Sequence, residues 1–146
     1  MRVTQIYEGT NGIQALDLVG RKLSDNGEAA FRLLDEVERV AQGAREAQPQ
    51  LAEPVWQAAE TLREATDWML SHPEGRGAGA VPYLRAFARV LGARAHLQAA
   101  IAGDGARGRL AAFYIRRLLP EHAGLLVQAR DGAGAVMALT PADLLA

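Results

Sequence analysis

The stretch from Leu51 to Met69 most narrowly limits what this chain can fold into. Its apolar residues recur at alternating spacings of four and three, and they are Leu51, Val55, Ala58, Leu62, Ala65 and Met69. That spacing places all six side chains on one stripe of an α-helix, whereas a strand would alternate them between two faces. Such a stripe is typical of helices that pack side by side in an antiparallel bundle. The segment therefore predicts a helix whose apolar side is covered by other helices.

The composition extends this prediction to the whole chain. Hydrophobic residues make up 49% of the sequence but aromatic residues only 5%, and alanine and leucine dominate. These two residues favour helices, and runs of β-branched and aromatic residues that favour strands are few. We therefore predict an all-α fold, an antiparallel bundle of four to five helices with a short N-terminal helix.

Apolar stripes and turn-forming residues outline the other helices, which are expected at residues 10–23, 28–47, 81–102 and 106–130. Pro49 and Pro54 are both expected in the first turns of the Leu51 helix. Pro120 is expected to kink the last helix, because its apolar stripe continues beyond the proline. The residues expected to face inward are Ile13, Leu16, Val19 and Leu23, then Phe31, Leu34, Val37, Ala41 and Ala44, then Tyr83, Leu84, Phe87, Val90, Leu91, Ala95, Leu97 and Ile101, and then Leu110, Phe113, Tyr114, Leu118, Leu125, Leu126 and Ala129.

The charge and cysteine content exclude several function classes. Sixteen basic and seventeen acidic residues give a net charge of −1, so no long-range field favours nucleic acid or an anionic membrane. The chain has no cysteine, which excludes disulfides and thiolate metal sites and is compatible with a reducing cytoplasm. No run of about 18 apolar residues occurs. A soluble, cytoplasmic protein is expected.

Several motif-like features have simpler interpretations. Residues 103–108 spell G-x-G-x-x-G, but a predicted helix precedes them where the dinucleotide fingerprint needs a strand, so an interhelical turn is expected. His72, His96 and His122 lack the short spacings of a zinc site and are interpreted as surface or loop residues, so no metal site is predicted. Arg116 and Arg117 beside Tyr114 could form a nucleotide-contacting patch, although a solvated face is favoured.

A different kind of signal lies in residues 5–14, QIYEGTNGIQ. Glu8 is followed by Gly9 and then by Thr10 and Asn11, either of which can cap a helix. This order holds a glutamate on a glycine-permitted turn at a helix start, where backbone N–H groups lack intrahelical partners. The alternative is a purely structural role, in which the negative charge of Glu8 offsets the positive end of the helix dipole.

The stretch from Gln5 to Leu23 resembles the catalytic-base region of flavin-dependent acyl-CoA dehydrogenases. The resemblance implies that Glu8 abstracts the α-proton of an acyl-CoA thioester, which becomes a trans-2-enoyl-CoA, and that Gly9 lines the acyl-CoA site. It further implies that Thr10, Asn11 and Gly12 belong to the FAD site. Many family members have glutamine where Gly12 stands, so a side-chain contact is missing at this position.

The later segments 113–120 and 136–139 resemble the added C-terminal helical region of the subgroup related to 3-methylmercaptopropionyl-CoA dehydrogenase. Residues 1–24 are then the end of a catalytic domain and residues 28–146 a helical bundle domain. Most of the enzyme is expected upstream, so the chain by itself should hold no FAD and be inactive. The implied partners are the acyl-CoA substrate, an electron-transfer partner and further copies of the same protein. The alternative is a non-catalytic helical interaction or oligomerisation module.

Overall fold

A computed structural model describes residues 10–103 and 105–145 of the chain, and helices make up most of them. No strand occurs in these two ranges, which confirms the predicted all-α class. Two π-helical turns, Leu18–Lys22 and Tyr114–Leu118, directly follow the first and fifth helices. The α-helices are α1 Thr10–Asp17, α2 Glu28–Ala44, α3 Pro49–Ser71, α4 Ala80–Ala102, α5 Gly105–Phe113, α6 Glu121–Arg130 and α7 Gly134–Ala138.

The long helices α3 and α4 form the centre of the bundle. Helices α2 and α6 each pack against both of them, while α1 and α5 pack mainly against α4. All six residues of the Leu51–Met69 stripe are buried, as predicted. Thr66 of α3 and Tyr83 of α4 join across this centre, since their hydroxyl oxygens lie 2.8 Å apart. Thr66 donates to the carbonyl of Leu62, so the Tyr83 hydroxyl donates to Thr66.

Helix α2 follows the predicted stripe but ends earlier than expected. Leu34, Val37, Ala41 and Ala44 are buried and Phe31 is half-buried. The helix stops at Ala44 instead of residue 47, and Gln48 has φ −140° and ψ 55°. A residue that precedes proline is disfavoured in the helical region, and Pro49 follows Gln48.

Only one of the two prolines of α3 occupies a first turn. Pro49 is the first residue of the helix, where its missing N–H removes no hydrogen bond. Pro54 lies inside the helix, so its predicted place in a first turn was wrong. It is exposed, so its ring faces solvent and not the core.

The apolar stripes of α4 and α5 were partly mispredicted. Ile101, Leu110 and Phe113 are 47%, 54% and 56% exposed, and Ala95 is exposed as well. The side of α5 that faces the core carries Ala111 and continues into Ile115 and Leu119. These residues are four apart, a spacing that suits the wider π-helical turn, whereas the prediction assumed an undistorted α-helix.

Near Pro120 the predicted helix is interrupted, because the backbone hydrogen-bond pattern changes there. The amide of Leu119 donates to the carbonyl of Tyr114 at 3.0 Å, five residues earlier, and α6 begins after Pro120. Leu119 and Pro120 both keep right-handed helical dihedral angles. The single kinked helix that was predicted is thus two α-helices joined by a π-helical turn and a short helical connection. No helix of the described ranges is long and apolar enough to cross a membrane.

Candidate functional site

The predicted site residues form one short run that ends in the first turn of α1. Glu8 and Gly9 lie outside the described residues, so their roles stay predictions. Thr10 and Asn11 begin α1 and are exposed, and Gly12 follows them half-buried. Among the described residues outside the neighbouring helix backbone, no atom lies within 4 Å of the position that a Cβ on Gly12 would take. The three predicted cofactor-binding residues, which are adjacent in the sequence, form the first turn of α1.

The electrostatics of this helix start favour a negative group. The first four N–H groups of a helix have no intrahelical acceptor, and they carry the positive end of the helix dipole. Helix α1 has no acidic residue in its first turn to offset that charge. A carboxylate or another electron-rich oxygen is therefore stabilised next to Thr10.

Helix α1 is held to the bundle by a different set of residues than the sequence predicted. Val19 and Leu23 are buried as expected, and Ala15 is buried with them. Ile13 and Leu16 are 64% and 56% exposed, so their predicted inward position was wrong. Ala15, Val19 and Leu23 are each four residues apart and share one face of this helical segment, which includes the π-helical turn Leu18–Lys22.

The one carboxylate of residues 10–23, that of Asp17, already forms an ion pair. Arg21 donates to Asp17 from Nε at 2.7 Å and from Nη2 at 2.8 Å. This hydrogen bonding from Arg21 holds the pKa of the Asp17 carboxyl below its ordinary value. Asp17 is therefore ionised and paired at neutral pH, which makes it a poor general base.

A tight turn at residues 24–27 fixes the far end of this segment. Asn26 and Gly27 have φ values of 57° and 77°, and Gly27 is buried. A Cβ on Gly27 would lie 2.9 Å from Leu70 Cδ1 and 3.0 Å from an atom of the Phe31 ring, so only glycine fits there. The Asp25 carboxylate also accepts a hydrogen bond from the amide of Ala29 at 3.0 Å, at the start of α2. The segment is thus anchored at its C-terminal end.

Two clefts in the bundle were not predicted from the sequence. One is an apolar groove of about 300 Å³ beside the Leu18–Lys22 turn, lined mainly by leucine and alanine side chains of α2 and α4. The other, of about 440 Å³, lies between the start of α3 and α5 and is lined by Arg109 and Arg116. Residues 10–12 line neither cleft. A sequence signal for the second cleft existed, because Arg109 and Arg116 are seven residues, or about two helical turns, apart.

The histidines each contact neighbouring groups of the bundle. The His72 ring stacks on Trp68 at 4.4 Å, the His96 ring lies 4.5 Å from the Tyr114 ring, and His122 Nδ1 lies 2.6 Å from a backbone carbonyl. In the described part of the chain, no three histidine or acidic side chains are grouped so that they could hold a metal ion. Gly103 directly follows α4, so a helix and not a strand precedes the glycine-rich run. Gly105 to Gly108 form the first turn of α5, so most of the run is helical and not the interhelical turn that was expected.

Comparison with known protein families identifies the bundle. The family described as acetyl-CoA dehydrogenase C-terminal like matches residues 33–140, well over half of the chain. Neither the curated proteins nor the solved structures give a match. The matched range begins within α2 and ends just after α7, so it covers the helices packed around α3 and α4. This chain belongs to the acetyl-CoA dehydrogenase C-terminal-like family.

Proposed function

We propose that this chain is the C-terminal part of an FAD-dependent acyl-CoA dehydrogenase, which oxidises an acyl-CoA thioester to a trans-2-enoyl-CoA. The observation that carries the proposal is the family match over residues 33–140, which follows closely on the Tyr7-Glu8-Gly9-Thr10 run. The family match does not cover that run, so the two signals support the proposal independently. Within the family, the subgroup related to 3-methylmercaptopropionyl-CoA dehydrogenase is the one we favour.

In this proposal Glu8 is the base that removes the α-proton. The proton next to a thioester is weakly acidic, so the carboxylate must be held within hydrogen-bond reach and its pKa raised by partial desolvation. Glu8 shortly precedes α1 in the chain, and the segment that begins with α1 is anchored by the buried Ala15, Val19 and Leu23. Gly9 has no side chain to block the approach of the flat thioester.

The residues at the start of α1 fit a flavin only as one edge of its site. Thr10 and Asn11 are exposed and carry a hydroxyl and an amide that could hydrogen-bond to FAD, while Gly12 offers only backbone. When bound, FAD supplies the acceptor for the hydride that leaves the β-carbon. The remaining contacts have to come from outside this chain. We therefore expect the purified chain to be colourless and inactive, and a flavin absorbance spectrum would contradict this.

The proposal is tested by replacing the base in the full-length parent enzyme. Glu8→Gln removes the proton acceptor and keeps the size of the side chain, so kcat should fall by about 10²- to 10⁴-fold while the flavin content stays the same. Asp17→Asn is the matched control, because it removes a nearby carboxylate that is paired with Arg21. Normal turnover of the Glu8→Gln enzyme with saturating acyl-CoA and a dye acceptor would contradict the assignment.

A non-catalytic interaction or oligomerisation module is the second candidate function. It is favoured by large apolar side chains that the bundle leaves exposed, among them Ile13, Leu16, Leu110 and Phe113. Covering them requires another protein surface, such as the rest of the parent, a further copy or an electron-transfer partner. Sedimentation of the chain at increasing concentration tests self-association. A monomer at every concentration would exclude a further copy, so that only the rest of the parent and the electron-transfer partner would remain as covering surfaces.

A further inference from the structure

The second cleft, between the start of α3 and α5, has walls of different chemistry. Its volume is about 440 Å³. Arg109 and Arg116 contribute two cationic side chains from one side. Among the described residues, the remaining lining is uncharged and consists of Gln48, Pro49, Gln50, Leu51, Gly105, Gly108 and Ala112.

These two arginines differ from most others in how their charge is balanced. Within residues 10–103 and 105–145, no carboxylate forms an ion pair with Arg109 or Arg116. Arg116 donates to the side-chain oxygen of Gln50 at 3.2 Å, which orients its guanidinium across the cleft. The pairs that do form are Arg21 with Asp17, Arg32 with Glu28, Arg45 with Glu53, Arg63 with Asp35 and Glu38, Arg85 and Arg89 with Glu121, Arg94 with Glu36, and Arg130 with Glu64.

We propose that this cleft binds a ligand that carries two phosphate groups, with Arg109 and Arg116 as its cationic contacts. A guanidinium presents paired N–H donors that match the oxygens of a phosphate, and it keeps its charge at every physiological pH. Arg109 lies in α5 and Arg116 in the π-helical turn that follows it, about two helical turns further on, so the two side chains can contact two phosphate groups of one ligand. Among the described residues outside the neighbouring helix backbone, no atom lies within 4 Å of where a Cβ on Gly108 would be, so a ligand can approach the backbone there.

This cleft shares no residue with the start of α1, so the inference goes beyond the proposed dehydrogenase function and does not depend on it. Two ligands carry the required chemistry. One is inorganic pyrophosphate, and the other is an adenosine 3′,5′-bisphosphate unit such as the nucleotide end of a coenzyme A thioester. Titrations with pyrophosphate and with adenosine 3′,5′-bisphosphate separate these sources.

The test is an NMR titration of the ¹⁵N-labelled 146-residue chain with each of the two probes at low ionic strength, where screening is weak. We expect saturable shifts of the amides of Gln50, Gly105 and Gly108. Arg109→Gln and Arg116→Gln should each weaken binding by about three- to tenfold, because each removes a charge-assisted contact. Arg117→Gln is the matched control, since Arg117 is exposed and next to Arg116 but does not line the cleft.

The outcomes separate a site from general attraction of anions. Saturable binding that is weakened by the two cleft variants and changed less than twofold by Arg117→Gln supports the proposal. Tighter binding of the bisphosphate than of pyrophosphate then assigns a nucleotide ligand, and equal binding assigns the phosphate groups alone. Absence of saturation at millimolar concentration, or equal weakening by all three variants, overturns the proposal. Because the three arginines are exposed, circular dichroism should show an unchanged fold in each variant.

Discussion

The centre formed by α3 and α4 and the helix α1 bury their apolar residues to very different extents. In α3, all six residues of the predicted stripe are buried, and a buried Thr66–Tyr83 hydrogen bond links this helix to α4. In the segment 10–23, which begins with α1, two of the four predicted residues, Ile13 and Leu16, are more than half exposed. Both segments carry an apolar helical pattern in the sequence, yet only the first is fully covered by its neighbours.

The central helices therefore cover their own apolar stripe, whereas α1 leaves part of its apolar side exposed. The centre is enclosed by α2 and α6 on both sides. The segment 10–23 is anchored through Ala15, Val19 and Leu23, whereas Thr10 and Asn11 at the start of α1 are exposed.

The largest expected effect comes from removing a central side chain. Leu62 is fully buried, so Leu62→Ala should lower the free energy of unfolding by about 2 to 5 kcal/mol through lost burial and the cavity that remains. The same change at Leu110, which is 54% exposed, should cost less than about 0.5 kcal/mol. Urea unfolding measures both, and equal losses would show that the centre is not the core of the bundle.

The buried tyrosine of the centre should make stability fall in alkaline solution. Burial raises the pKa of Tyr83 to about 12, against 10.0 for an ordinary tyrosine. The unfolded chain therefore loses this proton first, so the stabilisation is complete below about pH 10 and is lost as the pH rises to about 12. The two-unit difference corresponds to about 2 to 3 kcal/mol.

Urea unfolding of the wild type and of Tyr83→Phe at several values of pH measures this loss of stability in alkaline solution. The Tyr83→Phe protein should show a smaller alkaline loss than the wild type. Parallel curves for the wild type and Tyr83→Phe would rule out a buried, protonated Tyr83 in the centre.

Two glycines, Gly79 and Gly124, test how closely α6 packs against the centre formed by α3 and α4. A Cβ on Gly79 would lie 2.2 Å from the backbone oxygen of Ala129, so Gly79→Ala has to push α6 away and should cost about 1 to 3 kcal/mol. Gly124 lies within α6 with no other group within 4 Å of its Cβ position. Gly124→Ala should therefore stabilise the protein by about 0.5 to 1 kcal/mol. Thermal unfolding of the two variants should shift in opposite directions, and a harmless Gly79→Ala would mean that α6 packs loosely.

The smallest effect on the chain itself is expected at the open face of α1. Ile13→Ser and Leu16→Ser should each change the free energy of unfolding by less than about 0.5 kcal/mol, because both side chains are already exposed. In the full-length parent the same changes should be destabilising, since this face would be covered there. Equal, small effects in the chain and in the parent would mean that nothing packs against α1.

The sequence predicted the class of the fold and most of its centre. The spacing of Leu51, Val55 and the residues that follow them is a property of one helix, so it could be read without knowing the neighbours. Glu8, Gly9 and Thr10 are adjacent in the chain, so a candidate base could be proposed from the sequence, and its role stays a prediction that follows from the resemblance to acyl-CoA dehydrogenases.

What the tertiary structure decided is which side of each helix meets a neighbour, and where distant residues converge. Ala15 is buried while Ile13 and Leu16 are exposed, because the π-helical turn and the position of α4 set the contact line. Gln50 and Arg116 meet in one cleft although they are 66 residues apart in the chain. Periodicity relates residues of the same helix to one another, but it carries no information about the helix that will cover them. The apolar stripe of α3 and the all-α fold class could therefore be predicted from the sequence. The exposed face of α1 and the arginine cleft depend on how the helices pack.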